Sequence, residues 1–536
     1  MSNVAETIVS LLSKAGVERI YALIGDSLNP LGEAVRQNRK MQWISVRHEE
    51  TAAFAAGAES FLTGGLCVCA GTSGPGSVRL INGLYESDRN GAPVLAIVSH
   101  IPSSEIGFGA FQETDPATAF KDCSVFCKTA LRAEQTPRLM TEAMHTAAAQ
   151  KGVAVLIVPR DVFAAEVPDG ETTSPAVIRK STVLTPNDAD VRALADVINA
   201  RERITLYCGI GCRKAKAEVM ELAQKLKAPV VHTLRAKDFM EPNNPFDVGL
   251  NGPIGDGSPA KALETCDLLI LLGTDFPFSK ALPTRPDIVQ IDSRAAHLGR
   301  RCRLTFGLKG GMKPTLNALL PLIRTKTDET HLSEAVRFKQ DVDAKKESDL
   351  KAFSRSTPLR PEHLTHLIDA VAPDNAVFVV DVGLNDVWAA RFLHGNGTRR
   401  IIGSFKHASI GAAVPEAIGA AFATGGKVPV VVLAGDGGLT SMAGDLLTVK
   451  THGLPIKTIV FNNGELGYIT YEAELERLPP FKTKLARADF ALMAESFGLK
   501  GMRIETPAEA ETVLREALSA PDPVVVDALT DPEALP

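Results

Sequence analysis

Short apolar runs of strand length alternate, along nearly the whole chain, with stretches whose apolar residues recur at helical spacing. In the first 160 residues the runs fall at 20–24, 66–70, 93–98 and 153–158. Such alternation marks βαβ units, whose strands are buried on both faces and so lose the in-out polarity of a sheet with one wet side. A polar, proline-bounded stretch, Pro168-Asp-Gly-Glu-Thr-Thr-Ser-Pro175, interrupts the pattern and reads as a linker. The runs resume at 204–208, 229–232, 268–272 and 288–291, and again, after a charged helical connector at 332–354, at 376–381, 430–434, 457–462 and 524–526. The expectation is an α/β protein of three doubly wound parallel-sheet domains, at 1–175, 185–335 and 355–536. A chain of 536 residues is too long for one core and suits three domains of about 100–200 residues each.

Composition narrows the partners. The 58 basic and 63 acidic residues leave a net charge of −5 with no basic block, so no nucleic-acid partner is expected. No apolar run reaches the length of a spanning helix, and the amino terminus lacks the cationic start and apolar core of a signal peptide. A cytoplasmic location follows as an expectation, at most peripheral to the inner face of the membrane. Eight cysteines, without C-x-x-C spacing at Cys123/Cys127 or Cys208/Cys212, are expected to be free thiols acting as small core hydrophobes.

The chemistry begins at Ala434-Gly435-Asp436-Gly437-Gly438, which closes an all-apolar strand. Open α/β sheets bind ligands at that end of their strands. There Gly435, Gly437 and Gly438 expose backbone N–H groups to an anion, and Asp436 offers the hard oxygen that lets Mg²⁺ bridge to a diphosphate. The next strand ends in Phe461-Asn462-Asn463-Gly464, which puts Asn463 27 residues after Asp436. A lone Gly-Asp-Gly is usually only a turn; one paired with an Asn-Asn closing the next strand is far more specific.

With these motifs the sequence resembles the thiamine diphosphate enzyme superfamily. The resemblance implies Mg²⁺ held by the Asp436 carboxylate, the Asn463 amide oxygen and the main-chain carbonyl of Glu465. Asp381-Val382-Gly383-Leu384-Asn385 resembles the second diphosphate loop, through Gly383 and Asn385. Glu49, in Arg47-His48-Glu49-Glu50, would by itself be an acid in the first turn of an Ala-rich helix. By resemblance it is the Glu that hydrogen-bonds the cofactor's aminopyrimidine, where a carboxyl in an apolar pocket can share a proton with the ring. Ile410 falls on the apolar wedge that bends the cofactor, and the Ala408 carbonyl accepts from its amino group. Glu49 and Asp436 lie in different blocks, and the superfamily draws them from different subunits. A homodimer is the expected minimum, a tetramer the expected assembly.

Within the superfamily the chain is most similar to quinone-dependent bacterial pyruvate oxidase, through Gly25-Asp-Ser-Leu-Asn29, Ile81-Asn-Gly-Leu84, His100-Ile-Pro-Ser-Ser-Glu-Ile-Gly107 and Phe111-Gln-Glu-Thr114. Gln112 matches an active-site Gln that can orient the substrate carboxylate, Tyr468 an aromatic that shapes the pocket, and Glu472 an acid near the reaction centre. In the middle block Gly209, Gly211, Gly252, Gly273, Thr274 and Asp292 resemble an FAD site. Lys214 stands where an NAD fingerprint needs Gly, and Lys309-Gly310-Gly311 replaces the family's Gly-Asp. The implied activity is oxidation of pyruvate to acetate and CO₂, with electrons passing through FAD to a quinone. The alternatives are an acetolactate-forming carboligase, a phosphate-using oxidase that makes acetyl phosphate, and a silent scaffold. The sequence stops at Pro536, where such oxidases continue into a lipid-binding segment, so membrane association and lipid activation are expected to be weak.

Overall fold

The computed structural model describes residues 2–168 and 183–536, so the predicted linker lies, from residue 169 on, outside the described residues. Three six-stranded, wholly parallel sheets carry the chain. The first is built from β1 (Arg19–Ala22), β2 (Gln42–Ser45), β3 (Cys67–Gly71), β4 (Val94–His100), β5 (Phe126–Thr129) and β6 (Val153–Pro159). The second holds β7 (Ile204–Cys208), β8 (Val230–His232), β9 (Asp247–Leu250), β10 (Leu268–Leu272), β11 (Asp287–Asp292) and β12 (Phe306–Lys309). The third holds β13 (Val377–Val380), β14 (Arg400–Gly403), β15 (Val430–Gly435), β16 (Ile456–Asn462), β17 (Lys500–Ile504) and β18 (Val524–Leu529). The predicted connector is the helix Thr330–Phe353.

The orders are β2-β1-β3-β4-β6-β5, β12-β11-β10-β7-β8-β9 and β14-β13-β15-β16-β18-β17. The outer two sheets therefore share one topology. The middle sheet, counted from its own first strand, runs 3-2-1-4-5-6, the order of dinucleotide-binding folds. In each sheet the apolar runs of the sequence mark the four inner strands, and both edge strands escape them. The reason is physical: inner strands such as β4 and β16 are buried at every position, whereas β2, β5 and β12 turn polar or half-exposed residues to solvent.

The first and third blocks share one hydrophobic core. The helix Glu49–Thr63 lies against Ala413–Ala423, and the approach depends on small residues, since a Cβ on Gly419 would sit 2.0 Å from the Ala55 carbonyl. A polar seam continues the contact: Arg47 N–H and Thr51 Oγ1 donate to Asp445 at 2.8 and 2.6 Å, and Ser404 Oγ donates to Glu86 at 2.6 Å. The middle block is tied to both neighbours. Arg294 donates to the carbonyls of Gln150 and Lys151, and Arg391 to those of Ile254 and Gly255. All eight cysteines are free thiols; six are buried, while Cys127 and Cys302 are partly exposed. Among the described residues no helix is long and apolar enough to cross a membrane.

Candidate active site

In the third sheet the strand order reverses between β13 and β15, so the loops after them meet at the edge where such folds bind ligands. Asp381, at the end of β13, joins them. Its Oδ1 accepts N–H bonds from Val382 and Gly411, both at 2.9 Å, and its Oδ2 leaves no room for a Cβ on Gly438. Burial pushes this carboxyl up to about 7 against the pull of the two N–H donors. Asp436 is held in the same way, by Gly437 N–H at 2.8 Å on one oxygen and Gly464 N–H at 2.6 Å on the other, and burial raises its pKa too. The Asn463 amide oxygen accepts from Glu465 N–H at 3.0 Å, and Gly467 is small enough to let its Nδ2 approach.

Asp436 thus meets, through Gly464, the turn of the neighbouring strand that carries Asn463 and the Glu465 backbone. The Glu465 side chain points elsewhere, to Thr470, Thr483 and Lys484 at 2.6, 3.0 and 2.6 Å. Burial raises its pKa, but these bonds outweigh the effect and hold the carboxyl below its usual range. Gly383, at φ 126°, adopts a conformation that only glycine takes readily, and Asn385 is buried beside Gly435. Ala408 has φ +60°, a left-handed strain in a residue with a side chain, which re-aims its carbonyl. Ile410 is 48% exposed and is no core residue: it stands out of the loop as an apolar prop. An oxygen donor set for Mg²⁺, a glycine-lined turn for a diphosphate and a prop for a bent ligand all fit thiamine diphosphate.

The other predicted residues of the site lie at the carboxyl edge of the first sheet. Glu49 is the first residue of its helix, capped by His48, and is buried. A Cβ on Gly76 would lie 2.9 Å from its Oε1, and Arg79 Nη1 is 3.5 Å from its Oε2. Gln112, at φ +63°, is strained like Ala408, and its Oε1 accepts from Ser73 Oγ at 3.1 Å. Glu50 is structural, its Oε1 2.5 Å from Asn82 Nδ2, which also donates to Ser409 Oγ at 2.8 Å.

A cavity of ≈ 2450 Å³ opens at the carboxyl edge of the middle sheet and is lined by Gly211, Gly252, Gly273, Thr274 and Asp292, among others. Its basic rim includes Lys214, Arg235, Arg294 and Lys313, suited to a diphosphate, and the volume far exceeds the roughly 300–1,000 Å³ of ordinary small-molecule sites. Strand order reverses between β7 and β10. There Gly211 N–H donates to the Gly273 carbonyl at 3.0 Å, and a Cβ on Gly211 would lie 2.7 Å from Gly273 Cα. Gly209 does not line the cavity; it lets β7 pass the Gly273-Thr274 turn, whose carbonyl would be 2.5 Å from its Cβ. Asp292 Oδ1 accepts from Arg294 N–H at 2.8 Å and lies 3.2 Å from His297. Gly310 and Gly311 line the cavity beside Lys309, so the departure from the Gly-Asp pattern puts a basic group there. The same cavity reaches Gly383, Ala408, Tyr468 and Glu472 of the third block.

Ser73 and Arg79 join the site only in the folded chain, and the folded chain also gives Asp381, the first residue of the second diphosphate loop, its part in tying the loops together. Asp381 had a signal, being the acid that closes a strand in the Asp381–Asn385 loop, whereas nothing local marks Ser73 or Arg79.

Comparison with known proteins finds one enzyme family in all three blocks. Residues 2–119, 191–319 and 381–528 match the N-terminal TPP binding domain, the central domain and the C-terminal TPP binding domain of the thiamine pyrophosphate enzymes. The chain belongs to the thiamine pyrophosphate enzyme family. It is 37% identical to the "putative thiamine pyrophosphate-containing protein YdaP" of Bacillus subtilis (strain 168), over 98% of this chain and 91% of that one. It is 29% identical to the pyruvate oxidase of Lactiplantibacillus plantarum (97% and 87% covered) and 29% identical to the large subunit of acetolactate synthase isozyme 1 of Escherichia coli (99% and 94% covered).

Proposed function

We propose that the protein oxidises pyruvate: pyruvate and water become acetate and CO₂, and a quinone is reduced to the quinol. The observation that carries this reading is the continuity of the middle-block cavity with Gly383, Ala408, Tyr468 and Glu472, which would bring a bound FAD up to the thiamine site. Bound thiamine diphosphate supplies a carbon nucleophile and electron sink, and bound FAD a two-electron acceptor. The chain's own residues do the rest. Asp436, Asn463 and the Glu465 carbonyl would hold Mg²⁺; Glu49 would hydrogen-bond the cofactor's aminopyrimidine ring, the Ala408 carbonyl would accept from its amino group, and Ile410 would support the cofactor from the apolar side. Gln112 orients the substrate, and Tyr468 and Glu472 line the route towards the flavin.

We read the active unit as a homodimer or a dimer of dimers. Large apolar side chains stand exposed at the carboxyl edge of the first sheet, Phe108 at 84% and Phe111 at 87%, and at that of the third, Ile469 at 51% and Phe481 at 80%. Second copies covering these edges would bring Glu49 of one subunit to Asp436 of the other.

The equal identity to an acetolactate synthase supports one rival, a carboligase. Product analysis separates them. The oxidase makes acetate in step with quinone reduction, without added phosphate; acetolactate accumulating without an acceptor would establish the carboligase, and acetyl phosphate formed only with phosphate the phosphate-using oxidase.

A further inference from the structure

The loop after β3 joins two residues of the first-block half-site. Ser73 holds the Gln112 carbonyl oxygen at 3.1 Å, so the amide NH₂ is the end available to a ligand. Six residues on, Arg79 reaches Glu49, but loosely: the contact is 3.5 Å, and the Arg79 side chain is 53% exposed while that of Glu49 is 3% exposed. Among the described residues this is the one ion pair that Glu49 makes. If Glu49 serves the cofactor's ring, as the thiamine reading on which this inference rests requires, the ring competes with Arg79 for the carboxyl group, and a 3.5 Å contact to an exposed side chain is the weaker claim on it. The freed guanidinium stays on the same open edge as Gln112.

We propose that Arg79 yields Glu49 to the cofactor and binds the carboxylate of the 2-oxo acid substrate, with the Gln112 amide as second donor. A guanidinium fork matches a carboxylate in shape and charge. The carboxylate departs as neutral CO₂, its bonding pair staying with the carbon it leaves. Arg79 then loses its anion and can return to Glu49. A group that grips the substrate's charge before bond cleavage contributes to capture, so its removal should appear chiefly in KM.

The test uses Arg79→Gln and Arg79→Lys in the holoenzyme, with steady-state kinetics on pyruvate and calorimetric titration of thiamine diphosphate with Mg²⁺. Arg79→Gln is expected to raise KM for pyruvate about ten- to hundredfold, the span of one charge-assisted hydrogen bond. Arg79→Lys should lose less, and cofactor affinity should stay within about threefold of wild type in both. An unchanged KM in Arg79→Gln, or cofactor affinity falling in parallel with turnover, would overturn the proposal and make Arg79 a residue that positions Glu49. Wild-type protein that takes up no thiamine diphosphate would instead remove the reading beneath it.

Discussion

The two halves of the candidate site differ in how complete they are within one chain. In the third block each key carboxylate already accepts two backbone N–H bonds, Asp381 from Val382 and Gly411, Asp436 from Gly437 and Gly464. The loops that would receive the diphosphate are fixed before any ligand arrives. In the first block Glu49 has a single long contact to a half-exposed arginine, and Phe108 and Phe111 face solvent nearby. A grip built in advance can hold the inert end of a cofactor at little cost in ordering, while the reacting end is finished by what docks against it.

The sharpest way to break this comparison is to disable each half separately. Asp436→Ala should abolish Mg²⁺-dependent cofactor binding, with activity down by more than the roughly 10- to 100-fold typical of losing even an outer-shell partner. Glu49→Gln should leave folding and cofactor binding largely intact and slow turnover by about 10²–10⁴-fold, the usual worth of a positioned acid or base. If the halves come from different subunits, mixing the two inactive variants should restore roughly a quarter of wild-type activity, since half the dimers would be mixed and each would hold one intact site. No recovery after subunit exchange would mean that one chain supplies both halves.

A smaller effect concerns the buried acid of the grip. The folded, cofactor-free chain keeps a proton on Asp381 up to about pH 7, whereas the unfolded chain releases it near its ordinary value of 3.8. Stability from this group is therefore complete below the unfolded value and is lost as pH rises through about 7. The melting temperature should show a falling component over that window that Asp381→Asn removes, since the amide keeps the acceptor oxygen that Val382 and Gly411 use. A pH profile identical in the two proteins would contradict the buried, protonated acid. Smallest of all should be Lys484→Ala: its buried partner Glu465 contributes to the metal turn through its backbone and keeps Thr470 and Thr483 as donors, while the lysine end of the pair lies in solvent, so the loss should be about 1 kcal/mol. A large loss of Mg²⁺ affinity would instead put the Glu465 carboxylate in the metal site.

What was legible in the sequence follows the same physics. The inner strands announce themselves because burial on both faces leaves only apolar residues. Edge strands such as β2, with Gln42 and Ser45 exposed, carry no such signature. Asp436 and Asn463 could be read because each closes an inner strand, so that strand periodicity fixes where the side chain emerges. Arg79 and Ser73 could not, since their roles depend on a loop folding back onto residues 30 and 39 positions away. The different topology of the middle sheet was also hidden: strand order is a property of long-range pairing, and the three blocks alternate alike along the chain.

The most direct test of the whole account is the visible spectrum of the purified protein, recorded anaerobically before and after pyruvate is added with thiamine diphosphate and Mg²⁺. The purified protein is expected to carry a bound flavin whose visible band bleaches on adding pyruvate and returns on adding a quinone. A flavin that stays oxidised while pyruvate is consumed, or a protein that binds no flavin at all, would contradict it.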